Sequence, residues 1–348
     1  GFSFPLPASR FPLPASRFPL PASSYNEARA RPPQGAAARP MPTARTVLPT
    51  DLVALVSYDG RVYANQAITL DRIGSGGSPH PIEAAFEQWF SFATGRHTWI
   101  SVKGPTLRGL VSARKRGSKQ AWEIDCLINA EEDDPGVLMS LLDQVTDAAG
   151  RSGAMKIFLR VPTGSPVEGE AARCGFAPYK RETVYSRRQP AAKAAPSPAA
   201  VRRRAKADEF GAFQLYNALV PEPVRRLEAM TLTEWAAAQE TLGRTAQYVA
   251  DEIGRIGGLL RIAHDGEIGR FDVLAEDAAA EALIEAALAK LANRASLHAI
   301  VPPYAGHVAR RLIDRGFAAD DEFTVLARRT VRPVKEARRA PVVQTTFG

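Results

Sequence analysis

Trp122-Glu123-Ile124-Asp125-Cys126-Leu127-Ile128 opens the stretch that decides the fold, which runs on to Phe176. Aromatic and β-branched residues without a breaker predict a strand here. Asp134-Pro135-Gly136 then opens a helix. Asp134 can accept from the first free amides, and Pro135 suits the first helical position, where its missing N–H costs nothing. Leu138, Leu141, Leu142 and Val145 recur at helical spacing and form one apolar stripe. Gly150 and Gly153 end the helix. Residues 155–161 (MKIFLRV) read as a second strand, and a short helix then ends in Cys174-Gly175-Phe176.

The same order returns further on. Residues 269–275 (GRFDVLA) read as a strand, and 278–292 as a long helix with Ile284, Leu288 and Leu291 on one face. A strand follows at 297–301, then a short helix at 306–314, Gly316-Phe317, and a closing strand at 323–328. Asp125 and Asp272 hold matching places, as do Gly175-Phe176 and Gly316-Phe317. Chance readily supplies one Gly-Phe, but two with matched flanks predict an internal duplication.

Ahead of the first copy, 52–56 is a short apolar run, a strand or first helix, and 74–79 is a Gly/Ser loop. Residues 81–92 carry Ile82, Phe86, Trp89 and Phe90 on one helical side. Strands at 97–102 and 107–116 meet at Gly104-Pro105. Ahead of the second copy, Phe213 to Tyr216 precede two short helical stretches around Trp235, then paired strands at 246–253 and 258–264.

The chain has 348 residues, room for two domains with cores of their own. Hydrophobic residues make up 45% and charged residues 24%, a globular balance. No apolar run approaches the ~20 residues of a membrane helix, and no secretory signal is evident, so a cytoplasmic protein is expected. Cys126 and Cys174 read as reduced, packed thiols. Residues 1–49, 189–208 and 330–348 carry +5, +4 and +3, which leaves the rest of this +8 chain at −4. Basic charge thus belongs to the segments outside the folded modules, and a structured nucleic-acid face is not expected; only the basic tails could make such contacts. The heptapeptide Phe4-Pro5-Leu6-Pro7-Ala8-Ser9-Arg10 repeats at 11–17 and mostly again at 18–23. Two prolines per seven residues forbid a helix, so residues 1–44 read as an unstructured or polyproline-like tail. Residues 189–208, rich in Ala and Pro and ending in Arg202-Arg203-Arg204, read as a solvated basic linker.

This layout resembles the GNAT (Gcn5-related N-acetyltransferase) superfamily. The resemblance is carried by the order of elements and by Arg173-Cys174-Gly175-Phe176 and Ile313-Asp314-Arg315-Gly316-Phe317. In that segment the glycine ends a helix in a left-handed conformation and the Phe packs back on the sheet. The fold class this implies is α+β: two tandem GNAT-like domains, at 45–188 and 209–330, each a mixed, mostly antiparallel sheet flanked by helices and packed on the other. Residues 331–348 form a basic tail. The resemblance also implies acetyl-coenzyme A as cofactor. By position of the family's strand and loop, Cys126, Ile128, Gly136 and Val137 would bind it, with an amine or small molecule as acceptor. The family's loop before the long helix resembles Arg/Gln-x-x-Gly-x-Gly/Ala and gives its backbone N–H groups to a pyrophosphate.

Both loops depart from that pattern. The first is Asn129-Ala130-Glu131-Glu132-Asp133-Asp134-Pro135-Gly136, with four consecutive carboxylates where the anion would lie. The second, Ala275-Glu276-Asp277-Ala278-Ala279-Ala280, has no glycine or basic residue. Many family members place a Tyr four residues before the Gly of Gly-Phe, where this chain has Ala171 and Leu312; Tyr179 and Tyr304 are near in sequence but out of register. The five histidines lack metal-ligand spacing, although His298 and His307 bracket a strand end. No Gly-x-Ser-x-Gly elbow and no phosphate loop is present. The expected function is acyl transfer from acyl-coenzyme A to an amine. The alternative is a catalytically silent tandem protein that keeps the fold for binding or scaffolding.

Overall fold

The computed structural model describes residues 44–46, 64–75, 96–104, 106–131, 134–188, 200–240, 242–252 and 254–330. The elements expected at 52–56 and 81–92, most of the 74–79 loop, and both tails apart from Ala44 and Thr330 lie outside the described residues.

The first copy contributes β1 (Arg45–Thr46), β2 (Arg96–Lys103), β3 (Thr106–Lys115), β4 (Ala121–Asn129), α1 (Pro135–Arg151), β5 (Lys156–Pro162), α2 (Pro166–Arg173) and β6 (Ala177–Arg188). The second contributes β7 (Val201–Arg203), α3 (Glu209–Leu219), α4 (Glu222–Glu228), α5 (Leu232–Ala238), β8 (Ala246–Glu252), β9 (Arg255–Asp265), β10 (Ile268–Ala275), α6 (Asp277–Lys290), β11 (Ser296–Val301), α7 (Gly306–Ile313) and β12 (Ala318–Arg329). Local chemistry explains the key boundaries. The Asp134 carboxylate accepts from the Gly136 amide at 3.0 Å and caps α1, with Pro135 at its first position. At the end of α2, Gly175 takes φ +78°, and the Phe176 amide reaches back to the Ala171 carbonyl at 3.0 Å. At the end of α7, Gly316 has the same φ, and Phe317 N–H donates to the Leu312 carbonyl at 3.1 Å. Both are left-handed helix stops that only glycine adopts without strain, and both phenylalanines are buried behind them.

The layout expected of each half is present, but the halves do not carry separate sheets. All twelve described strands form one sheet in the order β1-β2-β3-β4-β5-β12-β6-β11-β10-β9-β8-β7. The closing strands are exchanged: β12 pairs antiparallel with β5, and β6 with β11, while β6 and β12 run side by side at the centre. The described residues accordingly form one unit. Helix α1 covers the first half through Val137, Leu138, Leu141, Leu142 and Val145, and α6 covers the second through Leu283, Ile284 and Ala287.

The linker expected at 189–208 is corrected from Val201 onward. Val201 to Arg203 pair antiparallel with Tyr248 to Ala250 as the edge strand β7. Arg202 is held by the carboxylates of Asp208 (2.7 and 2.8 Å) and Asp251 (2.5 and 3.0 Å). Charged side chains suit an edge strand because they deter further pairing, and the triple-Arg run reads as linker only while its acidic partners are unknown. Among the described residues no helix is long and apolar enough to cross a membrane.

Candidate functional site

Each half contains a parallel strand pair that diverges, leaving a groove. In the first half, β4 and β5 pair only from Ala121↔Lys156 to Glu123↔Phe158. Beyond that point residues 65–68 lie between the strands. The Gln66 amide donates to the Leu127 carbonyl at 2.8 Å, and the Leu127 amide donates to Asn65 Oδ1 at 2.8 Å. The Ile68 amide donates to the Arg160 carbonyl of β5 at 2.9 Å. Backbone groups of two separated strands need partners, and here the chain itself supplies them.

The residues expected to bind a cofactor fall around this filled groove. Cys126 and Ile128 face away from α1, with their side chains buried among Ile100, Leu107 and Leu110. Their neighbours Asp125 and Leu127 are the ones that turn backbone groups to the groove. The Gly136 amide is taken by Asp134, and Val137, in the first turn of α1, is fully enclosed. The acidic loop is not an unrelieved negative patch. Arg108, at the start of β3, donates to Glu131 Oε2 and Asp134 Oδ2, each at 2.5 Å.

In the second half, β10 and β11 stay paired through Asp272↔Ile300, two residues further along than in the first copy. They then diverge with no described segment between them. This groove meets a cavity of about 120 Å³, lined in part by Val273, Leu274, Ile300, Pro302 and Tyr304. That volume is room for several waters or a small ligand group. At the head of the groove, α6 begins without a side-chain cap, which leaves the amides at its very start open to a ligand. Glu276 and Asp277, the acids of the loop, are paired with Arg255 and Arg311. The basic residues missing from the loop in sequence thus arrive from β9 and α7.

Along one side of the cavity runs a chain of ion pairs drawn from both halves, all but Glu123 lining it. Arg116 bonds Glu123 (3.0 Å) and Glu240 (3.3 Å), and Arg160 bonds Glu240 (2.6 and 2.8 Å) and Glu182 (2.8 Å). Lys180 joins Glu182 and Glu228, both at 2.9 Å, and Arg261 pairs with Asp272. Burial alone would raise these carboxyls, but the neighbouring cations outweigh it. Glu182 is brought down to about 2 by Arg160 and Lys180. Glu228 is held below its ordinary range mainly by Lys180, and Glu240 by Arg160 and Arg116. Glu123 moves the other way, because burial and the Glu240 charge push it up to about 7. Burial also raises Tyr304, which keeps its phenol protonated at neutral pH.

Of the other residues singled out in sequence, the Tyr179 hydroxyl donates to Glu228 at 3.4 Å and Tyr304 lines the cavity. Ala171 and Leu312 are fully buried and serve the helix stops. His298 and His307 are not brought together: His298 packs on Gly74, whereas His307 Nε2 bonds the Ala275 carbonyl at 2.9 Å, at the far end of β10. Both cysteines are buried thiols outside any disulfide. Among the described residues no cluster of three His, Cys, Asp or Glu is placed to hold a metal ion. Sequence reasoning missed the ion-pair chain, because Arg116, Arg160, Glu182 and Glu240 form no motif and meet only through the exchanged strands.

Both halves carry the layout expected from the sequence. Strand, long helix, diverging parallel strand, short helix and Gly-Phe stop recur with the same backbone turn. No family model matches the chain, and no curated protein matches it. Among solved structures it is similar to a Gcn5-related N-acetyltransferase from Sphaerobacter thermophilus, at 14% identity over 85% of this chain and 97% of that one, with a TM-score of 0.47. It is similar also to a tandem GNAT protein from the clavulanic acid biosynthesis pathway, at 13% identity over 80% and 93%, TM-score 0.39. A third likeness is to N-myristoyltransferase of Saccharomyces cerevisiae with bound myristoyl-CoA, at 13% identity over 69% and 68%, TM-score 0.43. At such scores these likenesses carry no activity over to this chain.

Proposed function

We propose that the chain transfers an acyl group from an acyl-coenzyme A to an amine, and that it does so in its second half. The observation that carries this reading is the divergence of β10 and β11, which no described residue fills and which opens on a cavity lined in part by Tyr304. The backbone amide and carbonyl of Leu274, beyond the last β11 partner, would hold the extended arm of the thioester, and the uncapped start of α6 would face its phosphates. When bound, the cofactor supplies an activated acyl thioester. Tyr304, protonated and lining the cavity, is the group that would give a proton to the departing thiolate. Glu228 and Glu182 are held below the ordinary carboxyl range, so they suit binding a cation better than taking a proton from it. The acceptor therefore reacts as the free amine, and the proton its nitrogen sheds as the amide forms balances the one Tyr304 gives to the thiolate.

The test is release of coenzyme A thiol from acetyl-coenzyme A in the presence of a panel of primary amines. Amine-dependent release is expected, rising with pH until the amine's own pKa is passed. Tyr304→Phe should lower the turnover by roughly 10²-fold or more while leaving cofactor binding intact. Absence of both turnover and binding would overturn the reading.

A further inference from the structure

We infer that residues 65–68 are a resident occupant of the first groove, so that the chain takes one acyl-coenzyme A, in the second groove alone. The ligand half of this inference rests on the function proposed above; the occupant half rests on the backbone.

The two grooves are copies of one another, and among the described residues only the first is filled. Asp125 and Asp272 hold the same place, so Leu127 corresponds to Leu274. Leu127 spends both its amide and its carbonyl on residues 65 and 66, and the Asp125 carbonyl accepts from Asn65 Nδ2 at 3.2 Å and Arg72 Nη1 at 2.7 Å. Strands β4 and β5 separate two residues earlier than β10 and β11 do, which makes room for the inserted segment between them. Ala67 at its centre is completely enclosed.

The occupant is also fastened at its far end, by contacts outside the groove. The Leu70 amide donates to Glu240 Oε1 at 2.8 Å, and Asp71 forms a two-point pair with Arg114 at 2.7 and 2.9 Å. From the second half, Arg270 donates to the Ile73 carbonyl at 2.5 Å and to Ser75 Oγ at 2.6 Å. A competing ligand would have to release the groove bonds and compete with a segment tethered beside them, whose effective concentration is on the order of millimolar or higher. These fastenings make the occupant integral to the fold rather than a lid.

Hydrogen exchange on the intact protein, with and without saturating acetyl-coenzyme A, tests this. Without ligand, the amides of Gln66, Ile68 and Leu127 should exchange at least ~10³-fold more slowly than in a free chain, an opening free energy of about 4 kcal/mol at 1.4 kcal/mol per factor of ten. With ligand, protection should rise across 268–280 and stay unchanged across 64–73 and 121–137, and calorimetry should give one ligand per chain. Free-chain exchange at Gln66 and Ile68, faster exchange of 64–73 on adding ligand, or two ligands per chain would overturn the inference. If acetyl-coenzyme A produces neither heat nor protection, the acyl-transfer reading fails with the one-ligand clause, while the unliganded exchange rates still decide whether the first groove is filled.

Discussion

Arg160 is enclosed on all sides, yet it keeps its charge because Glu182 and Glu240 meet it from two directions. Burying such a cation without partners would cost several kcal/mol, so these carboxylates are held ionised by the fold. The sign of the pH dependence follows. Glu182 titrates at about 2 in the folded chain against 4.5 for an ordinary Glu. Its contribution, on the order of 3 kcal/mol, is complete above pH ~4.5 and is lost as pH falls toward 2. Glu228 and Glu240 act in the same direction. Glu123, raised to about 7, acts oppositely: its contribution is present below pH ~4.5 and fades as pH rises through 7. Glu182→Gln should therefore flatten the acid side of a stability-versus-pH curve measured by urea unfolding and leave the slope toward neutrality in place. Arg160 and Lys180 keep Glu240 and Glu228, so the variant should remain folded at pH 7. An unchanged acid slope would show that Glu182 is not held in this way.

At the scale of elements, the packing of α6 on β9 depends on a missing side chain. A Cβ at Gly258 would lie 2.4 Å from Leu283 Cδ1 and 3.2 to 3.3 Å from the Cβ atoms of Ala275 and Ala279. Leu283 can turn aside, but the alanine carbons move only with their backbones. Gly258→Ala is thus expected to destabilise by about 1–3 kcal/mol through overpacking. Gly169, midway along α2, has nothing within 4 Å of its added Cβ. There the same substitution should stabilise by up to about 1 kcal/mol, from helix propensity alone. Denaturant midpoints that move in opposite directions would bear out both arguments, whereas a shared direction would refute one. Sequence legibility at this scale followed local physics. Asp134-Pro135 and the two Gly-Phe turns were readable because neighbours in the chain satisfy one another there. The filling of the first groove was not, since Asn65, Gln66 and Ile68 find their partners about 60 to 90 residues away. Nor was the role of Arg108, which meets the acidic loop only after β3 and β4 align.

Across the whole molecule, the unreadable feature was the exchange of closing strands. Strands β6 and β12 carry no side-chain pattern that names the neighbouring strand. The structure places β12 against β5 over seven register pairs and β6 against β11 over six, so each half completes the other's parallel pair. The ion-pair chain runs through the same seam, with Arg116, Arg160 and Glu182 meeting Glu228, Glu240 and Asp272 around one cavity. Cutting the chain between 189 and 199 should therefore leave two fragments that cannot come apart without unfolding. A protease site placed there, cleaved in the folded protein, is expected to give fragments that co-elute on gel filtration and separate only in denaturant. Each fragment made alone would lack the strand beside its β5 or β11 and expose an unpaired sheet edge, a template for aggregation. Two soluble monomeric fragments with native-like circular dichroism would mean that the halves fold independently and that the exchanged strands are dispensable. Co-elution would instead make the pair of copies a single cooperative unit, the larger consequence of a duplication whose last strands crossed over.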